Sequence, residues 1–256
     1  MHNTAYPDID ELLSQLLQNL QVVLGKNLVG LYLYGSLVSG DFDYEISDID
    51  LLIATAAEIN KAEFAELNQL QNDFVKKHKQ WNGRIEIAYL SLLALKTFKT
   101  QTSQIAIISP GEPFHYKTAG KDWLMNWYFV RESGVALFGP DPKTIITPVS
   151  PAEFKQAVVD QSKFWRKWIL KTKHPRKYQA YAILTMCRAL FTFKFGKQVS
   201  KKQAAVWVQK HTPQWSALIK KALLWRQDWR NQQVNNEETF PETVKFVHFM
   251  IDQIVR

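Results

Sequence analysis

The sequence predicts an α+β protein: an N-terminal α/β domain with a small mixed sheet, then an all-helical C-terminal domain. Three observations predict it. Helix-like and strand-like apolar periodicities alternate over the first ninety residues. Prolines then gather while the periodicity lapses, around Leu137-Phe-Gly-Pro-Asp-Pro142 and Pro148-Val-Ser-Pro151. Beyond that point apolar residues recur only at helical spacing.

The elements follow in order. From Asp8 to Leu24, Ile9, Leu12, Leu13, Leu16, Leu17 and Leu20 mark one face of an amphipathic helix. Leu28 to Tyr34 is β-branched and aromatic and stops at Gly35, and Asp50 to Ala54 is a short apolar run entered through a polar loop. Both read as buried strands. Residues 58–79 return to helical spacing through Ile59, Phe64, Leu67, Leu70, Phe74 and Val75, and Arg84 to Leu90 alternates as a third strand. The proline-rich stretch reads as a linker with a boundary near 147–151, giving domains of residues 1–147 and 148–256. Ser150-Pro151-Ala152-Glu153 has the form of a capping box with proline in the first turn. The helical patterns that follow place Trp165, Trp168, Leu184, Phe191, Trp207, Leu218 and Leu223 on apolar faces, so the six tryptophans there read as core rather than as platforms for bases.

Composition excludes several classes. Cys187 is the single cysteine, which removes disulfide frameworks, thiolate metal sites and dithiol redox chemistry. Acidic Asp8, Asp10 and Glu11 stand where a secretion signal would be cationic, and no apolar run approaches membrane-spanning length, so a cytoplasmic protein without a membrane partner is expected. The six histidines, at 2, 78, 115, 174, 211 and 248, lack metal-ligand spacing, and Ser36 lacks the flanking glycines of a hydrolase nucleophile elbow. Charge is split: residues 1–150 hold 12 Lys and Arg against 17 Asp and Glu, and residues 151–256 hold 20 against 7, so net −5 precedes net +13. Such a basic half suits an anionic partner, whether nucleic acid, a membrane surface or the phosphates of a nucleotide, or is simply a solvated face.

The chemistry concentrates in one stretch. Gly35 ends a strand and lacks a Cβ, which lets backbone approach a phosphate, and Ser36 adds a hydroxyl and an amide. Asp48 and Asp50 stand two apart at a strand entry, so their carboxylates share a face and converge within reach of one hard cation. Glu86 is an acid set between Ile85 and Ile87 in the third strand. If that strand lies beside the strand of Asp50, three carboxylates share one surface and call for bound cations. The competing reading is an exposed glutamate paired with Arg84.

Gly35-Ser36, ten intervening residues and Ser47-Asp48-Ile49-Asp50-Leu51-Leu52, with Glu86 as a later acid, resemble the signature of the polymerase-β-like nucleotidyltransferases. Val135 to Pro140 with Pro148-Val149, then Leu184 to Arg188, Gly196-Lys197, Ser200-Lys201 and Ala204 to Trp207, resemble the adenylyltransferases that modify streptomycin and spectinomycin, so the likeness spans nearly the whole chain. It implies a catalytic domain facing a helical one, with ATP and a small-molecule alcohol acceptor in the cleft between them and release of pyrophosphate. Carried over by position, Asp48 and Asp50 hold Mg²⁺ with Glu86 as general base and third acid of the metal site. Gly35, Ser36 and Ser47 contact the triphosphate, Arg188 and Lys201 reach phosphates, and Asp122 matches a nucleotide-contacting acid. No obligatory protein partner is implied.

The departure from that family lies at Lys171-Thr-Lys-His-Pro-Arg-Lys-Tyr-Gln-Ala-Tyr181, which has no carboxylate where the drug-modifying members place acidic residues. Lys171, Lys173, Arg176 and Lys177 would repel a polycation, so streptomycin is expected to be a poor acceptor, spectinomycin the better of the two and a neutral or anionic alcohol better still, unless Asp160 or Asp228 substitutes for the missing acids. The alternative function is an RNA-directed nucleotidyltransferase or RNA-binding protein using the basic helical domain. Three intact carboxylates favour the enzyme.

Overall fold

The computed structural model describes residues 4–171, 175–227 and 236–255. Contacts divide the chain into two compact units, Met1–Val149 and Ser150–Arg256.

The first unit runs α1 (Pro7–Leu24), β1 (Leu28–Tyr34), α2 (Ser36–Ser39), β2 (Ile49–Thr55), α3 (Lys61–Lys77), β3 (Ile85–Ser91), α4 (Leu92–Thr97), β4 (Ser103–Ile108), β5 (His115–Ala119), α5 (Leu124–Ser133), β6 (Val135–Phe138) and α6 (Pro142–Ile145). Its sheet has the order β5-β4-β3-β2-β1-β6. Only β2 and β3 pair in parallel, joined through α3, so the sheet is mixed. Alternation decides what each face does. Leu31, Leu33, Ile49, Leu51, Ile53, Ile85, Ile87 and Tyr89 pack with the apolar stripes of α1 and α3 into one core. The opposite face carries Tyr34, Asp50 and Glu86.

The helix read over residues 58–79 begins at Lys61, because the Asn60 side chain accepts the Ala62 and Glu63 amides and closes a capping box with Glu63. The linker reading of residues 137–142 is corrected: Leu137 and Phe138 belong to β6, which pairs with β1. The segment after it is packed as well, since Tyr32 donates to the Pro140 carbonyl at 2.9 Å. Gly139 has φ +89°, and a Cβ there would stand 2.2 Å from the Val29 carbonyl oxygen, so glycine is required against β1.

The second unit contains α7 (Pro151–Trp168), α8 (Arg176–Phe195), α9 (Lys201–His211), α10 (Ser216–Gln227) and α11 (Asn236–Val255). The Ser150 side chain accepts the Glu153 amide while Glu153 accepts the Ser150 amide, so the capping box and Pro151 start α7 where the sequence places them. Trp165 is buried in this unit's core, and Trp168, Trp207 and Trp215 pack against it. Among the described residues no helix is long and apolar enough to cross a membrane.

Candidate active site

The site is built by strand register. Asp50 faces Tyr34 across the antiparallel β1–β2 pair and Glu86 across the parallel β2–β3 pair. A row at roughly 4.8 Å steps therefore crosses three strands with all three side chains on one face. Asp48 precedes β2 by one residue and shares that face by its two-residue spacing, while Ile49 between the two acids is fully buried. The condition that β3 lie beside the strand of Asp50 is met.

Gly35 caps α2 with φ +75° and ψ −147°, and a Cβ built on it would stand 1.8 Å from Asp50 Oδ2. The immediate reason for glycine here is the Asp50 carboxylate, which occupies the space a side chain would need. Ser36 opens α2, and its carbonyl accepts the Asp41 amide at 3.2 Å.

The loop that delivers Asp48 is held from below. The Arg84 guanidinium donates to the Ser47 carbonyl at 3.2 and 2.7 Å and to the Tyr44 carbonyl at 2.6 Å, and lies 4.6 Å over the Trp81 ring. Ser47 is buried, and its hydroxyl accepts the Asp43 amide at 2.9 Å. Its observed role is to shape this loop.

Electrostatics follow from placement. Burial, and then the charge of Asp48, push the Glu86 carboxyl above the usual carboxylate range, against a hydrogen bond from Ser109 and the charge of Lys117. Burial, with the charges of Asp50 and Glu86, holds the Tyr34 phenol well above its ordinary value. Among the described residues no group of three or more His, Cys, Asp or Glu encloses a metal site by itself. Mg²⁺ usually takes one or two carboxylates and completes its octahedron with substrate phosphates and water. The clustered acids and the like-charge pressure on Glu86 fit a divalent cation.

The other site residues lie apart from this row in the chain. Asp122 is exposed, and its carboxylate accepts the Gly120 amide at 2.9 Å, a local turn cap. Arg188 is half-buried on α8, and Lys201, the first residue of α9, sits 4.4 Å over the Tyr181 ring. Of the basic segment, Arg176 and Lys177 already belong to the first turn of α8, with Arg176 5.3 Å over Trp225. Thr172, Lys173 and His174 lie outside the described residues, as does Asp228. Sequence reasoning missed Tyr34 and Ser109, which border the acids. Tyr34 directly precedes Gly35, but only the antiparallel register reveals its face, and Ser109 follows a strand the periodicity did not disclose. Shallow grooves at Arg131, Gly134 and Lys143, and at Gln15, Asn19 and Lys77, hold no comparable set of acids.

Comparison with known proteins identifies both parts of the chain. Residues 9–109 match the family model of the nucleotidyltransferase domain, and residues 144–253 match that of the aminoglycoside adenylyltransferase C-terminal domain. The fold resembles the crystal structure of spectinomycin adenyltransferase AAD(9) from Enterococcus faecialis with ATP and spectinomycin, at 17% identity and TM-score 0.76 over 96% of this chain and 99% of that one. A toxin–antitoxin structure with AMP-PNP aligns at 15% identity over 62% of this chain and 94% of that one, with TM-score 0.30. The chain is a nucleotidyltransferase. Within that class it is an aminoglycoside adenylyltransferase-like enzyme, its two domain matches arranged in the order that the name of the second one implies.

Proposed function

We propose that this enzyme transfers AMP from ATP to a hydroxyl of an aminocyclitol or aminoglycoside antibiotic, with spectinomycin a better acceptor than streptomycin. One observation carries the reading: Asp50 and Glu86 stand in register on adjacent strands, with Asp48 two residues upstream and Gly35 against Asp50. In-line transfer at the α-phosphorus needs a base for the acceptor proton and positive charge on the phosphate oxygens. Glu86, made more basic by burial and by Asp48, takes the acceptor proton; the acceptor oxygen bonds to the α-phosphorus, the bond to the β-phosphate oxygen breaks, and pyrophosphate leaves. Asp48 and Asp50, with Glu86 beside them, would hold Mg²⁺, which supplies neutralisation of triphosphate charge when bound.

The family resemblance, rather than contact geometry, assigns Gly35, Ser36 and Ser47 to the triphosphate, Arg188 and Lys201 to phosphates and Asp122 to the nucleotide. The preference for spectinomycin rests on charge: Lys171, Lys173, Arg176 and Lys177 offer a polycation no counter-charge. The nucleotide and acceptor of the similar AAD(9) structure support both substrates. The test is pyrophosphate release from MgATP over a panel of spectinomycin, streptomycin and neutral and anionic sugar alcohols. Release with spectinomycin well above streptomycin supports the proposal, and release with streptomycin alone contradicts the acceptor assignment.

A further inference from the structure

Tyr34 is 5% exposed, and its hydroxyl is buried without a hydrogen-bond partner of normal geometry. Leaving a buried hydroxyl unsatisfied costs about 1–3 kcal/mol, and phenylalanine would fill the same volume without that cost. A native chain that keeps such a group needs a reason for it. The surroundings supply one. Register sets Tyr34 in line with Asp50 and then Glu86, and the polar side chains around its hydroxyl are the Asp50 and Glu86 carboxylates and the Asn126 carboxamide of α5, of which Glu86 and Asn126 are placed to hydrogen-bond with it. A carboxylate accepts and does not donate, whereas a carboxamide can donate to a phenol oxygen.

We propose that Tyr34 is a positioning residue for Glu86: Asn126 donates an amide N–H to the phenol oxygen, and the phenol O–H is directed at the Glu86 carboxylate, fixing which oxygen it turns to the acceptor. Ser109, donating to Glu86 from the end of β4, is the matching support on the other side. Such bonds are commonly long before substrates bind and tighten in the reacting complex, which accounts for a hydroxyl that is aimed but not engaged. The inference rests on Glu86 as the base.

The test is a double-mutant cycle in the full chain: wild type, Tyr34→Phe, Glu86→Gln and the double variant. Each is followed by pyrophosphate release with MgATP and the best acceptor of the panel, and by thermal unfolding. Tyr34→Phe is expected to lower kcat about 10- to 100-fold, as loss of an outer support does, with KM for MgATP within about twofold. It should unfold at or above the wild-type temperature, because an unsatisfied group has been removed. Added to Glu86→Gln, it should lower the rate no further. Wild-type kcat in Tyr34→Phe, an equal loss in both backgrounds or a lower unfolding temperature overturns the positioning role while leaving Glu86 as base. Wild-type kcat in Glu86→Gln overturns the catalytic reading and this inference together.

Discussion

Gly35 and Asp50 are complementary: the carboxylate of one fills the space left by the missing side chain of the other, with Oδ2 1.8 Å from where a Gly35 Cβ would lie. Gly35→Ala should therefore displace Asp50 as well as strain a backbone held at φ +75°. The expected result is a folded protein, by circular dichroism, whose turnover falls about as far as that of Asp50→Asn. Wild-type turnover in Gly35→Ala would separate Asp50 from the chemistry.

Asp50→Asn keeps the shape and removes a hard anionic ligand where phosphate charge must be neutralised. Turnover should fall by at least about 100-fold, and raising Mg²⁺ or Mn²⁺ should recover part of it. A Mg²⁺ titration of pyrophosphate release checks both points.

Glu86 also predicts a dependence of stability on pH. Its folded pKa is raised, first by burial and then by Asp48, so the folded chain holds that proton more tightly than the unfolded one. The stabilising contribution is fully present below the ordinary glutamate value and is lost as pH rises through the folded value. Glu86→Gln should therefore unfold at a higher temperature than wild type at neutral pH with EDTA present, by about 2–4 °C for each kcal/mol relieved. The difference should vanish in acid. Calorimetry of both proteins across this range reads it.

Arg84→Ala removes three hydrogen bonds from the loop that carries Asp48, two to Ser47 and one to Tyr44. Charged hydrogen bonds of this kind are worth about 1.5–3 kcal/mol each at most, with the exposed part of the side chain reducing that. A lower unfolding temperature and a raised KM for MgATP are expected together. Arg84→Lys should recover little, because an ammonium cannot reproduce the fork.

Arg188→Ala and Lys201→Ala test the cationic residues that the resemblance assigns to phosphates. Each should weaken ATP binding several-fold by calorimetric titration, since charge-assisted contacts to phosphate are the strong ones. Unchanged affinity in both would leave these side chains with packing roles, such as that of Lys201 over Tyr181.

Much of this site was legible in the sequence because its parts are local. Asp48 and Asp50 fall on one face by strand alternation, and Glu86 between two isoleucines announces a polar position in a buried strand. The capping box at Ser150 and Glu153 is likewise a four-residue signal. What stayed hidden depends on pairing between distant segments. β6 reads as linker because its four residues are short, half-exposed and followed by prolines, and it becomes a strand only against β1. Tyr34 looks like the end of an apolar run until register sets it opposite Asp50. The space Asp50 takes from Gly35 is likewise a tertiary fact, a reason for glycine at this position distinct from close approach to a phosphate.

The central claim is that Glu86, Asp48 and Asp50 act on one hydroxyl and one α-phosphate. Mass spectrometry of spectinomycin after incubation with this protein and MgATP tests it most directly, with pyrophosphate measured in the same sample. The account predicts spectinomycin carrying one AMP, pyrophosphate formed in equal amount, and a rate about 100- to 10,000-fold lower in Glu86→Gln with ATP affinity unchanged, as loss of a general base gives. No AMP adduct on a protein that binds ATP, or the same rate from Glu86→Gln, would contradict it.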